Sequence, residues 1–268
     1  NKLAGKGTES EEYYTNAYVS FNNVPNMHVV QSSYNKILLG CQQLDSDSVM
    51  ENLKGSEWIS CIASLLQLSA KMSKAMINGV SVFVHCSDGW DRTAQVSSLT
   101  QLCLDPFYRT VTGFCHLIEK EFSEFGHKFA SRLKIGIRDN NEVSPIFIQF
   151  LDCVHQIMQY EKNSFEFQES MLMDISLLTY SGMFSVFYGD SITDKQNIDI
   201  NNKCQNLQSY LLAIKSRFLN PDYIQCEGPL TIKSKTYNIK FWNNYFFKYF
   251  KPVNQCDYEV PISDNTKP

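Results

Sequence analysis

His85-Cys86-Ser87-Asp88-Gly89-Trp90-Asp91-Arg92-Thr93 is the stretch around which the rest of the chain is organised. Cys86 and Arg92 are separated by five residues, the spacing of a loop that wraps a phosphate around a nucleophilic cysteine. The segment before it, Val80-Ser81-Val82-Phe83-Val84, is short, apolar and β-branched and predicts a buried strand. The segment after it, Thr93 to Cys103, carries apolar residues at 96, 99, 102 and 103, which is helical spacing. Strand, loop and helix in that order place the loop at a helix N-terminus and predict an α/β fold.

The chemistry of phosphate esters calls for these residue types. The nucleophile must be anionic at neutral pH, and a free cysteine, with a pKa near about 8.5, is mostly protonated there. At a helix N-terminus and beside an arginine the value falls to roughly 3.5–7.5. Inward-pointing loop amides and the helix dipole make a cradle for an anion. This makes Ser87, Asp88, Gly89 and Trp90 candidate substrate-binding positions. Arg92 can hold two phosphoryl oxygens bidentately, in the ground state and as charge shifts during transfer. Thr93 can offer its hydroxyl to the Cys86 sulfur, and Gly89 relieves crowding where the backbone turns sharply. The competing reading is a buried structural cysteine in a strand-to-helix turn. The glycine-bearing turn, the Arg-Thr pair and the helix that follows argue against it.

All nine residues together resemble the active-site loop of the myotubularin phosphatases. The similarity continues in order along the chain. Before the loop it includes Asn1-Lys2, Gly5, Gly7, Glu9-Ser10, Asn16-Ala17, Asn26-Met27-His28-Val29 and Trp58. After it come Phe125-Gly126-His127-Lys128-Phe129, Ser144-Pro145-Ile146-Phe147, Phe165-Glu166-Phe167, Asn220-Pro221 and Phe241-Trp242-Asn243-Asn244-Tyr245, so that residues 1–253 are covered. The resemblance implies a protein-tyrosine-phosphatase-like fold, a central mixed sheet flanked by helices. It implies one phosphatase domain over residues 1–268. An upstream pleckstrin-homology-type module and the first strands of the sheet would lie outside this chain.

The same resemblance implies a 3-phosphatase that acts on phosphatidylinositol 3-phosphate and phosphatidylinositol 3,5-bisphosphate through a phosphocysteine, with no metal and no organic cofactor. In this reading Cys86 attacks phosphorus, Arg92 binds the phosphoryl group and Asp91 is the general acid for the leaving inositol oxygen. Asp88 contacts inositol hydroxyls or fixes the loop. Trp90 walls the inositol ring or fills the base of the loop. His85 supports the loop by hydrogen bonds, and His127 is structural. Asn1, Asn26 and Met27 match positions that line the headgroup pocket, Met27 through its backbone. Lys128 and Arg132 match two basic positions that bind a further phosphate at ring position 5. There is one departure: where the family has Asp-Arg before Ser-Pro, this chain has Glu142-Val143, so an arginine is missing.

Phosphoinositide phosphatases of the Sac type also show Cys-x-Asp-x-x-Asp-Arg-Thr, which favours an inositol lipid over phosphotyrosine. A tyrosine or dual-specificity phosphatase is the first alternative. A catalytically weak phosphoinositide-binding scaffold is the second, although such members usually lack the cysteine or arginine. The partners implied are a phosphoinositide headgroup, a membrane surface bound peripherally, and a homo- or heterodimer with other family members in the full-length protein. The location implied is cytoplasmic, on endosomal membranes.

Composition sets the outer bounds. The 268 residues are 43% apolar and 19% charged, enough to bury a substantial core. The formal net charge of −4 offers no hint of nucleic acid, so an anionic ligand has to be held by a local positive site. No run of about 18 apolar residues predicts a membrane span. The nine cysteines include no Cys-x2-Cys pair, which speaks against a disulfide framework or a zinc site and for reduced thiols.

Residues 1–16 read as loop, and Ala17–Phe21 and His28–Gln31 as short strands. A helix is predicted over Glu57–Asn78, with Trp58, Ile62, Leu65, Leu66, Met72 and Met76 on one face. Further helices are predicted over Val111–Glu124, Ile146–Tyr160, Glu169–Tyr180 and Leu207–Leu219. The Ile146–Tyr160 helix shows an apolar stripe of Phe147, Phe150, Leu151, Val154 and Met158. The aromatic segment Phe241–Phe250 is read as packing on the domain rather than lying on a membrane.

Overall fold

The computed structural model describes residues 12–42, 51, 55–135, 141–197 and 203–248. At its centre is α3, Arg92–Leu104, the helix that leaves the Cys86 loop. Ala94, Val96, Leu99, Leu102 and Cys103 are at most 2% exposed, and polar Gln95, Ser98 and Thr100 are buried beside them. Four elements enclose this helix: α2 (Trp58–Ile77), α6 (Ile146–Tyr160), the 3-10 turn Pro106–Arg109 and a π-helical segment, Glu119–Glu124. Gln95 ties α3 to α6 through Nε2, which donates to the Ile146 carbonyl and to Gln149 Oε1, both at 2.9 Å.

The predicted helices are present, Ile146–Tyr160 with its expected ends and several others with shorter ones. The segment Val111–Glu124 forms α4, Val111–Ile118, and then widens into the π-helical turn. Glu169–Tyr180 is α7, Glu169–Leu178. Leu207–Leu219 is α9, Leu207–Ala213, followed by the 3-10 turn Lys215–Arg217. Short helices α5, Phe129–Leu133, and α8, Ile192–Asn197, complete the middle of the chain. The aromatic C-terminal segment contains α10, Asn243–Phe246. Trp242, Tyr245 and Phe246 are nearly fully buried, so this segment packs on the domain. Trp242 stacks on His155 at 4.9 Å and donates its indole N–H to Glu169 Oε1 at 2.6 Å.

Three strand expectations are corrected. His28–Gln31 lies inside a helix, α1, Met27–Gln42. Asn26 starts it: its side-chain oxygen accepts from the amides of His28 and Val29, both at 3.1 Å, which is helix N-capping. Val30, Ile37 and Cys41 then form the buried face at helical spacing. Ala17–Phe21 joins no ladder, and Tyr18 and Phe21 are exposed. Val80–Val84 is not helical and is not buried as a strand. Val82 and Val84 pack on the core, while Phe83 is 89% exposed. The period-two alternation is therefore there, but a strand also needs a hydrogen-bonded neighbour. Among the described residues the β pairings are isolated bridges, Phe167 with Leu219 and Phe184 with Gln205, and the central mixed sheet is not seen.

Candidate active site

The chain reverses sharply at Gly89, whose φ of +93° is open to glycine and strained for other residues. That turn folds the loop back over Cys86. The Gly89 amide donates to Cys86 Sγ at 3.2 Å. Burial alone would raise the thiol pKa. The Thr93 side chain and the backbone amides of Gly89, Asp88 and Thr93 act in the opposite sense and prevail, so the Cys86 pKa is lowered. The Thr93 hydroxyl is buried, acts on the sulfur, and has no oxygen or nitrogen partner among the described residues. Other thiols show the effect where burial prevails. Cys41 and Cys61 are pushed up to about 11, and Cys103 and Cys115 to about 12.

A cavity of about 70 Å³ opens above the sulfur, lined by Met27, Cys86, Asp88, Trp90, Asp91, Arg92 and Arg132. Arg92 is at the first turn of α3, and its Nη2 donates to Ser87 Oγ at 3.1 Å across the loop. His85, exposed at the loop's start, has Nδ1 at 3.3 Å from the Cys86 carbonyl. Trp90 is half-buried and carries Lys128 Nζ over its ring face, 4.6 Å from the centroid.

Asp91 occupies the N-cap position of α3, yet its side chain caps no amide. Its carboxylate turns instead to two residues outside the loop. Arg132 Nη2 donates to Oδ2 at 2.8 Å, with Nε at 3.2–3.3 Å from both oxygens. His127 Nδ1 lies 3.0 Å from Oδ1 and 2.9 Å from the Trp90 carbonyl. Both neighbours are acceptors, so Nδ1 carries the proton. Burial opposes ionisation of Asp91, and His127 and Arg132 more than reverse this, to a pKa of about 2. Asp91 is thus an ionised carboxylate at neutral pH, not a resting acid.

Several sequence expectations change in detail. Arg132 reaches the cavity, but its side chain is 3% exposed, and it is bound to Asp91 and to Glu142, not standing free for a second phosphate. Its Nη1 donates to the Glu142 carbonyl at 3.0 Å and to Glu142 Oε2 at 3.1 Å. Lys128 keeps a half-exposed side chain, 3.5 Å from the same Oε2. Asn26 uses its side-chain oxygen to cap α1, and the Met27 carbonyl accepts from Ser144 Oγ at 2.8 Å. Asn1 lies outside the described residues. The sequence analysis missed the parts played by His127 and Glu142. The signal for His127 was its place in Gly126-His127-Lys128-Phe129; for Glu142 it was the departure before Ser144-Pro145.

A cysteine with a lowered pKa at a helix N-terminus, separated by five residues from an arginine, in a loop of inward amides defines the site as that of the cysteine-based phosphatase class. A family model, the myotubularin-like phosphatase domain, matches residues 1–196. The chain belongs to this family, and the family implies a cysteine-based phosphatase fold. Among its curated relatives, the phosphatidylinositol-3,5-bisphosphate 3-phosphatase MTMR6 of Rattus norvegicus is 38% identical over 260 residues, covering 95% of this chain and 40% of the relative. MTMR8 of Homo sapiens, with the same activity in its name, is 39% identical over 257 residues, 94% of this chain and 36% of the relative. The phosphatidylinositol-3-phosphate phosphatase MTMR7 of Homo sapiens is 36% identical over 281 residues, covering all of this chain and 42% of the relative. The chain spans about two fifths of the length of these relatives.

Proposed function

We propose that this chain carries the catalytic site of a phosphoinositide 3-phosphatase acting on phosphatidylinositol 3-phosphate and phosphatidylinositol 3,5-bisphosphate. The observation that carries the reading is the Cys86 thiol, held below its ordinary value by Thr93 and loop amides inside a cavity lined by Arg92. The names of the relatives support the substrate class. The Cys86 thiolate attacks phosphorus, and the bond from phosphorus to the inositol oxygen breaks. Arg92 and the loop amides hold the phosphoryl oxygens as charge shifts. Water then attacks phosphocysteine, and the thiolate leaves beside the Thr93 hydroxyl.

Asp91 serves the two half-reactions differently. Ionised, it is ready to take the proton from the hydrolytic water. To protonate the leaving inositol oxygen it must first gain a proton. The central mixed sheet of the fold belongs to this reading. So does a single phosphatase domain over residues 1–268, working peripherally on cytoplasmic membranes such as endosomes.

The test is phosphate release from short-chain forms of both lipids. Wild type releases phosphate from each. Cys86→Ser releases none but still binds the headgroup, because the amide cradle and Arg92 remain. Turnover by Cys86→Ser, or release from a phosphotyrosine peptide in place of the lipids, rules the reading out.

A further inference from the structure

Glu142 puts an acid where an anion-binding site least needs one. Its Oε2 lies 3.1 Å from Arg132 Nη1 and 3.5 Å from Lys128 Nζ, so one carboxylate oxygen bridges two cations. Neither cation is loosely placed. Arg132 is locked by Asp91, and its Nη1 also binds the Glu142 carbonyl at 3.0 Å. Lys128 lies over the Trp90 ring, and Trp90 and Arg132 both line the cavity that Cys86 lines. Exposure separates the partners: the side chain of Arg132 is 3% exposed and that of Glu142 is 47% exposed. The guanidinium is buried, and the carboxylate is the partner that water reaches.

A guanidinium and an ammonium converging on one anionic oxygen form the arrangement in which the same groups hold a phosphate oxygen. We propose that Glu142 is a specificity-determining residue. Its carboxylate fills the place of a second phosphate beside the Cys86 cavity and is displaced when a doubly phosphorylated inositol ring binds. For its substrate class this rests on the phosphoinositide reading above. A headgroup with one phosphate leaves the bridge intact and meets a neutralised wall. A headgroup with two meets a tethered competitor, and its advantage from the second phosphate is reduced by the cost of opening the bridge.

The experiment uses the full-length protein with Cys86→Ser, so that nothing turns over. Binding of two soluble probes, inositol 1,3-bisphosphate and inositol 1,3,5-trisphosphate, whose 1-phosphate stands for the lipid's phosphodiester and is not counted above, is measured by calorimetry with and without Glu142→Gln, and again with Glu142→Ala. Both substitutions are expected to raise the trisphosphate-to-bisphosphate affinity ratio by about tenfold, the size of one charge-assisted hydrogen bond regained. A ratio that stays flat or falls, or trisphosphate that binds neither variant, overturns the proposal. The arm with active enzyme measures kcat/KM on the two lipids. A wild type that releases no phosphate, with an affinity ratio that still moves, refutes the phosphatase reading and leaves the competitor role of Glu142 standing. Release with a flat ratio refutes the competitor role alone.

Discussion

At the scale of single residues, Asp91 has the environment most at odds with a simple reading of its sequence position. An aspartate before Arg-Thr at a helix start reads as a cap or as an acid. The structure gives it two cationic or donor partners from residues 127 and 132 and a pKa near 2. A carboxylate whose folded value is depressed adds stability above its unfolded value, near 4, and loses it as pH falls towards 2. The shift corresponds to about 2 kcal/mol. Urea unfolding of wild type is expected to show this loss between pH 4 and 2, and Asp91→Asn to lack it. Arg132→Ala is expected to lower kcat/KM at least about tenfold on the monophosphate as well as on the bisphosphate. The reason is that Arg132 holds Asp91 whichever lipid is bound. A loss confined to the bisphosphate, measured on both lipids at fixed ionic strength, contradicts that role.

At the scale of elements, α6 shows how tertiary packing overrides a pattern. Its sequence carries an apolar stripe, but the helix is buried nearly all round, with Gln149, Asp152, His155 and Gln156 inside. Each polar group there has work to do. Asp152 accepts from Trp58 Nε1 at 2.7 Å, joining α2 to α6, and from Gln156 Nε2 at 2.8 Å. Burial nevertheless pushes its pKa up to about 6. Trp58→Phe removes one donor from this buried carboxylate and is expected to cost about 2–3 kcal/mol near neutral pH. The penalty is expected to be smaller at pH 5 than at pH 8, because protonation relieves the unpartnered charge. Denaturant titrations at the two pH values check this.

The π-helical turn after α4 links the core to the site. It places Phe122 edge-on to His127 at 5.4 Å and within an aromatic cluster with Phe129, Phe147 and Phe150. Phe122→Ala is expected to lose about 3–5 kcal/mol of stability. It is also expected to loosen His127 from Asp91, which would appear as reduced turnover under conditions where the variant remains folded.

At the scale of the whole molecule, the helices close around α3, so that the loop before it is fixed by the core behind it. A site fixed in this way accepts its substrate in one orientation. Release of phosphate is therefore expected from inositol position 3, with the 4- and 5-monophosphate lipids at least about a hundredfold poorer by kcat/KM. Comparable rates on all three monophosphates contradict a single headgroup orientation.

The sequence by itself determined the loop. Cys86, Gly89, Arg92 and Thr93 are adjacent in the chain, and their chemistry depends on local spacing and on the helix that follows. It also determined most helices, because apolar periodicity is a local signal. It misplaced α1, where the capping oxygen of Asn26 and the spacing of Val30, Ile37 and Cys41 outweighed the β-branched pair Val29-Val30. It left open what surrounds Val80–Val84, since pairing of strands is a property of distant segments. Tertiary structure alone decided the electrostatics of the site. His127, Arg132 and Glu142 lie 36 to 51 positions beyond Asp91, and only the fold brings the first two to its carboxylate and sets the third against Arg132. The physical reason is range: backbone conformation follows from neighbours in sequence, whereas the charge state of a carboxylate follows from neighbours in space, a few ångströms away.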